Sequence, residues 1–237
     1  LVLFHYFGAA EQVRYETHAH IGSEKLPAII QRMRQTIIEY GGQILFSTCM
    51  KRLIINNARA VGIETADGQT IKADAVVLAI GHSAHDTYRT LYEQNVLMEN
   101  KGFAMGVRVE HPQPLIDTLM YHGSQDNEYL PAANYSLVTQ VAGRGVYSFC
   151  MCPGGHIVPA ATKEGTCVVN GMSTSKRNSP FANSAIVVEV HPEDIGEYQN
   201  DGIMGELRFE GDMPFTTICS LSVMAGTIKP PGHMQKL

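Results

Sequence analysis

The string with the densest chemistry is Cys150-Met151-Cys152-Pro153-Gly154-Gly155. Two thiols one residue apart can serve redox or nucleophilic chemistry, and a glycine pair lets backbone come close to a ligand. Alternate residues of a regular strand share a face, so both sulfurs are expected to point one way. Neighbours-but-one rarely bridge comfortably, which disfavours a disulfide between them. The competing reading makes both cysteines small buried hydrophobes ahead of a glycine turn. Arg108, Arg144 and Arg177 are candidates for gripping a carboxylate or a phosphate, because guanidinium pairs with either in bidentate fashion. Arg177, in the polar loop Ser173-Thr174-Ser175-Lys176-Arg177-Asn178, is the first choice. Each arginine could equally be a solvated surface residue. Asn183 is a candidate to hydrogen-bond a ligand edge or to cap local backbone. His18/His20 and His82/His85/Asp86 form close groups, but there is no HExxH and no cysteine pair with zinc spacing. No metal ligand is assigned.

The elements around these residues follow from periodicity. Leu26, Ile29, Ile30, Met33 and Ile37 recur at helical spacing after Ser23, and Gly41-Gly42 stops the run, predicting a helix capped by Ser23. Strands are expected over 43–48, 52–55, 60–65 and 69–72, with turns at Asn56-Asn57 and Asp67-Gly68. Ala75-Val76-Val77-Leu78-Ala79-Ile80 is apolar throughout, as a strand covered on both faces of a parallel sheet must be, and it ends at Gly81. Ser83 through Asp86 fits a capping box opening another helix. Beyond about Leu97 the texture becomes short strands parted by glycine, proline and asparagine, which reads as mainly antiparallel sheet.

Composition narrows the classes. The 237 residues are 44% hydrophobic and 17% charged, enough for a buried core. Lys+Arg number 18 against Asp+Glu 23, for a net charge of -5, so there is no basic surplus for nucleic acid. No apolar run reaches the roughly 20 residues a bilayer span needs. Five cysteines, an odd number with no CxxC, favour a reducing cytoplasm over a disulfide scaffold.

A helix, a Gly-Gly stop, a β meander, a buried strand and a glycine, in that order, resemble the second half of the FAD-binding domain in flavoproteins of the glutathione reductase type. Longer strings sharpen the likeness. They are His20 to Pro27, Ala79 to Asp86, Gly106 to Gln113, Tyr147 to Gly155, Asn170 to Ser173 and Asn183 to Val188. Together, from about Phe7 to about Gly196, they resemble the bacterial FAD-dependent dehydrogenases of the NAD(P)/FAD-dependent oxidoreductase group. The resemblance implies an α/β (α+β) fold: a partial FAD-binding, Rossmann-like domain with a three-stranded meander, plus an antiparallel β-rich substrate or cap domain. The expected layout is a lead-in over 1–21, the later part of the FAD domain over 22–96, and the β-rich domain over 97–237. It implies FAD as cofactor, with NAD(P)H as a candidate electron donor, and hydride exchange with a small molecule. Cofactor-binding candidates are Met50, Ala79, Ile80, Gly81, His82, Gly154, Gly155 and Asn183. Cys150, Cys152 and Arg177 are the catalytic candidates, and no general acid or base is assigned. The sequence lacks the GxGxxG turn that holds a pyrophosphate. The chain is therefore expected to be a central piece of a longer enzyme, inactive and binding FAD poorly alone. Two rival readings stay open: a non-catalytic binding module, and a metal-dependent hydrolase using the histidine pairs.

Overall fold

The computed structural model describes residues 1–17, 19–81, 83–123, 129–162, 164, 167–212 and 215–219. The fold is α+β, with helices and two mainly antiparallel sheets and no closed barrel. The chain forms two compact units that interleave in sequence. One unit takes Leu1–Ile44, Ala104–Glu189 and Pro214–Cys219; the other includes Leu45–Phe103 and Val190–Met213. This differs from a contiguous layout with breaks near 22 and 97, because the first long helix belongs with the large sheet and not with the meander.

In the first unit, helix α1 (Val2–Tyr6) leads to α2 (Leu26–Glu39). Ile29 and Val13 are buried there among Ala9, Phe4, Phe7, Ala19, Ile21 and Met33. The helix begins at Leu26 with Lys25 at its cap, and Ser23 does not cap it. Ser23 Oγ donates instead to the carbonyl of Ser173, 3.1 Å away. That long-range bond outcompetes the local cap.

The second unit is built on a meander: β1 (Met50–Asn56), β2 (Arg59–Thr65) and β3 (Thr70–Lys72), antiparallel in the order β1-β2-β3. Asn57 and Ala58 both have positive φ in the first turn, as a tight hairpin with matching twist requires. Gly68 has φ +88 in the second turn. The expected strand over 43–48 is absent: the segment is irregular, and Leu45 and Phe46 are exposed. Ala75 to Ile80 is also not a strand. Val77 is 89% exposed. An all-apolar run becomes a central strand only when other strands flank it, and among the described residues none pairs with this one.

Helix α3 (His85–Glu93) follows, with Ala84 at its N-cap and no capping box; Asp86 Oδ1 accepts from the neighbouring Thr87 amide instead. Gln94, just past this helix, satisfies the edge of β1 on both sides. Leu53 N donates to its Oε1 at 3.0 Å, and its Nε2 donates to Leu53 O at 2.7 Å. Leu53, Tyr88 and Leu91 are buried in the core beneath the meander.

The large sheet of the first unit comprises β4 (Phe103–Pro112), β5 (Val138–Val141), β6 (Arg144–Cys152), β7 (Gly155–Pro159), β8 (Cys167–Ser173), β9 (Phe181–Val190) and β10 (Phe215–Cys219). Between β4 and β5 lies helix α4 (Gln113–Met120), which the sequence reading did not anticipate. Strand order is β5-β6-β9-β4-β10-β8-β7; β8 and β10 run parallel, whereas β4–β10, β5–β6, β6–β9 and β7–β8 are antiparallel. Ala104, Ala185 and Val187 are buried on one face with Tyr147 and Phe149 against them. In the second unit, Val190–Met213 carries helix α5 (Gly205–Asp212), whose Leu207 joins the core under the meander.

Candidate functional site

The sequence-derived site residues fall into two groups, one in each unit, and each group is described by itself. In the meander unit, Met50 and Ile80 both pack on the Leu53–Tyr88–Leu91 core. Ala79 is exposed, and His82 lies outside the described residues. Gly81 has φ +71, and a Cβ built there would meet nothing within 4 Å. The Tyr88 hydroxyl donates to the Gly81 carbonyl at 2.9 Å and fixes the turn. Burial, followed by the charge of Glu210, pushes the Tyr88 phenol up, which keeps it a donor. A glycine at positive φ with open space around it lets a ligand approach the backbone.

The second group lies on the large sheet, where Phe149 pairs with Ala185 and Cys152 with Asn183. Three steps along β6 therefore match two along β9, which is a β-bulge. Cys150 sits in it with φ +47. Strand alternation is broken between the two cysteines, so the regular parity that would put both sulfurs on one face does not hold across the bulge. Cys152 is the one opposite Asn183. Cys150 is an exposed residue, yet the atoms around its thiol desolvate it and push it up, with Arg108 pulling the other way. Its carbonyl accepts from Arg108 Nη1 at 3.2 Å and faces Cys152 Sγ at 3.3 Å.

Asn183 is fully buried, and its Oδ1 accepts from Arg108 Nη1 at 2.5 Å. Its Nδ2 and the Nε of Arg108 are buried without a hydrogen-bond partner. Gly171 of β8 completes the cluster. A Cβ there would stand 2.2 Å from Arg108 Nη1, 2.2 Å from Asn183 Oδ1 and 2.9 Å from Cys152 Sγ. No other residue type leaves room for the guanidinium. Tyr135 is held up by burial, with a Ser184 hydrogen bond and the Arg108 charge pulling it down. Its ring lies 5.6 Å from that of His111, whose Nε2 is also buried and unpartnered. Burial lowers the His111 pKa and Glu110 raises it.

Gly154 and Gly155 turn the chain from β6 into β7. A Cβ on Gly154 would lie 1.9 Å from the Arg177 carbonyl, and one on Gly155 2.5 Å from that of Met172. Their small size is thus already required by packing inside the unit. Gln113, buried at the start of α4, accepts from the Gly154 amide at 2.8 Å. Arg177 has φ +49, and its Nε is buried without a partner. Burial pulls its pKa down, while Glu16 and Cys152 push it back up. The loop carrying it is clamped from the segment before α2. Glu24 accepts from the Ser175 amide and from the Ser175 hydroxyl. Ser23 N donates to Ser173 O, and His20 Nε2 lies 2.9 Å from Thr174 O. Two strings far apart in sequence, His20 to Pro27 and Asn170 to Ser173, thereby meet at one loop. Arg144 is placed elsewhere, with Nη1 donating to Glu189 O at 3.3 Å. Among the described residues, no group of three or more His, Cys, Asp or Glu side chains could hold a metal ion.

Sequence reasoning missed Gln113 and Glu24 as positioning groups and underrated Arg108. All three stand inside quoted strings, but only the tertiary hydrogen bonds separate them from ordinary surface polar residues.

Residues 102–215 match the family described as FAD-dependent protein, C-terminal domain-like. The matched stretch holds the bulge, the Arg108–Asn183 pair, the glycine turn and Arg177. A relative described as an uncharacterized protein from Clostridium beijerinckii (strain ATCC 51743 / NCIMB 8052) is 44% identical over 190 residues. The match covers 79% of this chain and 36% of that protein, so the chain spans about a third of the length of the relative it matches. At Gly81 there is open space beside the backbone, which is compatible with the close approach of a cofactor such as FAD. The residues present do not include a pyrophosphate-holding glycine turn of the GxGxxG type. Among the described residues, no helix is long and apolar enough to cross a membrane.

Proposed function

We propose that this chain is part of an FAD-dependent oxidoreductase that exchanges a hydride with a small-molecule substrate, with NAD(P)H as the candidate donor. The observation that carries the reading is the match of residues 102–215 to an FAD-dependent family. The meander leading to an open glycine turn at Gly81 supports it. When bound, FAD supplies the two-electron chemistry that no side chain can.

The chain's own residues bind and orient. Gly81, with Met50, Ala79 and Ile80 beside it, offers backbone and apolar surface to the cofactor. Tyr88 holds the Gly81 carbonyl in place. On the large sheet, Asn183 and Arg108 face a substrate, and the Gln113-braced turn Gly154-Gly155 fixes the wall beside them. Cys152 lies on that wall as a spectator thiol, and Cys150 contributes its carbonyl. Arg177 is a binding group, presented by the Glu24-clamped loop.

The test is anaerobic mixing of the 237-residue chain, FAD and the part of the clostridial relative outside the matched stretch, followed by NADH or NADPH. Bleaching of the bound flavin band supports the proposal. A flavin that binds but is reduced by neither nucleotide removes NAD(P)H as donor and leaves another reductant to be sought. If no flavin binds, the chain is a non-catalytic module.

A further inference from the structure

The centre formed by Arg108, Asn183 and Arg177 has an unbalanced chemistry. Arg108 is half-buried, and it donates to neutral groups, an amide oxygen and a peptide carbonyl. Among the described residues, no carboxylate is in direct ion-pair contact with Arg108 or Arg177, although the Glu16 charge acts on Arg177 from farther away. A partly desolvated guanidinium without a counter-ion is costly, so a protein keeps one where something else supplies the negative charge. The orphaned atoms are all donors. They are Arg108 Nε, Arg177 Nε and Nδ2 of the fully buried Asn183. Cys152 links the two arginines in space: its Sγ borders the Gly171 niche with Arg108, and the turn two residues on, at Gly154, abuts the Arg177 carbonyl. Gly171 leaves this niche to the guanidinium and the amide.

We infer that Arg108, Asn183 and Arg177 form a binding site for an anionic, acceptor-only oxygen group, the carboxylate of a small-molecule substrate. A carboxylate offers only acceptors when ionised, which matches a ring of unpaired donors. A phosphate of a bound nucleotide presents the same chemistry and is the other source of such a group. The assignment of the ligand as substrate rests on the function proposed above. The site itself rests on the large-sheet unit alone and needs no flavin.

The experiment is a titration of the 237-residue chain, without FAD, with acetate, succinate, inorganic phosphate and ADP. It is followed by nitrogen-15 NMR of the Asn183 side-chain amide. The expected result is a saturable shift of that NH2 signal with a carboxylate. Arg177→Gln should weaken binding about tenfold, the size of one charge-assisted hydrogen bond. Arg177 lies on a loop, so this variant is expected to fold. Asn183→Asp is the second variant, since it places a carboxylate beside Arg108 inside the same volume. This variant has no side-chain NH2, so the response is read in both proteins at the Arg108 Nε–H signal: the carboxylate-induced shift there should be abolished in the variant while the rest of its spectrum stays folded. Saturation by ADP and phosphate with no carboxylate response overturns the substrate assignment in favour of a cofactor phosphate. No shift with any anion, or equal shifts in wild type and Arg177→Gln, overturns the site. A separate FAD titration of the chain together with the remainder of the clostridial relative, if it fails, would sink the oxidoreductase reading while leaving the anion result standing.

Discussion

The Arg108 guanidinium donates to Oδ1 of Asn183 at 2.5 Å, joining β4 to β9 across the large sheet. Asn183 is fully buried and Arg108 half-buried, so this bond anchors a charge that is partly stripped of water. Replacing Asn183 by Leu would leave Arg108 Nη1 with only the Cys150 carbonyl. The expected cost is about 2–4 kcal/mol, the range for stranding a part-buried charge. Asn183→Asp should cost far less, because it supplies a counter-ion. Urea denaturation of the two variants checks the order, and equal midpoints would contradict it.

Glu206 and Glu210 occupy successive turns of α5 and are both buried. Burial first, then the charge of Glu206, raises the Glu210 carboxyl to about 7 from 4.5. The folded state therefore holds a proton that the unfolded chain gives up near pH 4.5. This contribution to stability is complete below pH 4.5 and is lost as pH rises to about 7. Glu210→Gln should be more stable than wild type at pH 8 by about 2–3 kcal/mol and close to it at pH 4. Denaturation midpoints at the two pH values check this, and a variant less stable at pH 8 would contradict it.

Glu24 behaves in the opposite sense. Its hydrogen bonds from the Ser175 side chain and backbone hold the carboxyl below 4.5. The contribution is present above pH 4.5 and lost as pH falls through the lowered folded value. Glu24→Ala should release the Arg177 loop, read as faster hydrogen exchange at the Ser175 amide with little change in the β6–β9 ladder. Unchanged exchange at Ser175 would show that Ser23 and His20 hold the loop without it.

Gly154→Ala and Gly81→Ala separate packing from conformation. At Gly154 a Cβ collides with the Arg177 carbonyl and also meets φ +51, so a loss above about 2 kcal/mol is expected. At Gly81 there is open space, so only the φ cost of about 1 kcal/mol applies. Thermal melts of both variants test the contrast, and equal losses would refute it.

Much of the fold could be read from residue patterns because it rests on local chemistry. Asp67-Gly68 and the alternating residues beside it sit in the second turn of the meander, and the antiparallel texture beyond Leu97 became the seven-stranded sheet. The failures occurred where long-range partners decide. Ser23 suits a helix cap, but the Ser173 carbonyl takes its hydroxyl. Ala75 to Ile80 has the composition of a central strand, but among the described residues no strand flanks it, and only Val76 and Ile80 of the run pack on the core. Cys150 and Cys152 obey strand parity until the bulge, and nothing in their spacing reveals it. The site shows the same division. Arg177 and Asn183 stood out by type and context, whereas Gln113 earns its place only through the Gly154 amide, which is distant in sequence.

The central claim is that Gly81 and its neighbours flank a bound FAD. The most direct measurement is gel filtration of the chain mixed with FAD and the remainder of the clostridial relative, monitored by flavin absorbance. The chain is compared as wild type and as Gly81→Val. A band near ~450 nm that travels with the wild-type protein and is lost in the variant is the predicted result. A wild-type protein that retains no flavin, or a variant that retains as much, would contradict the account.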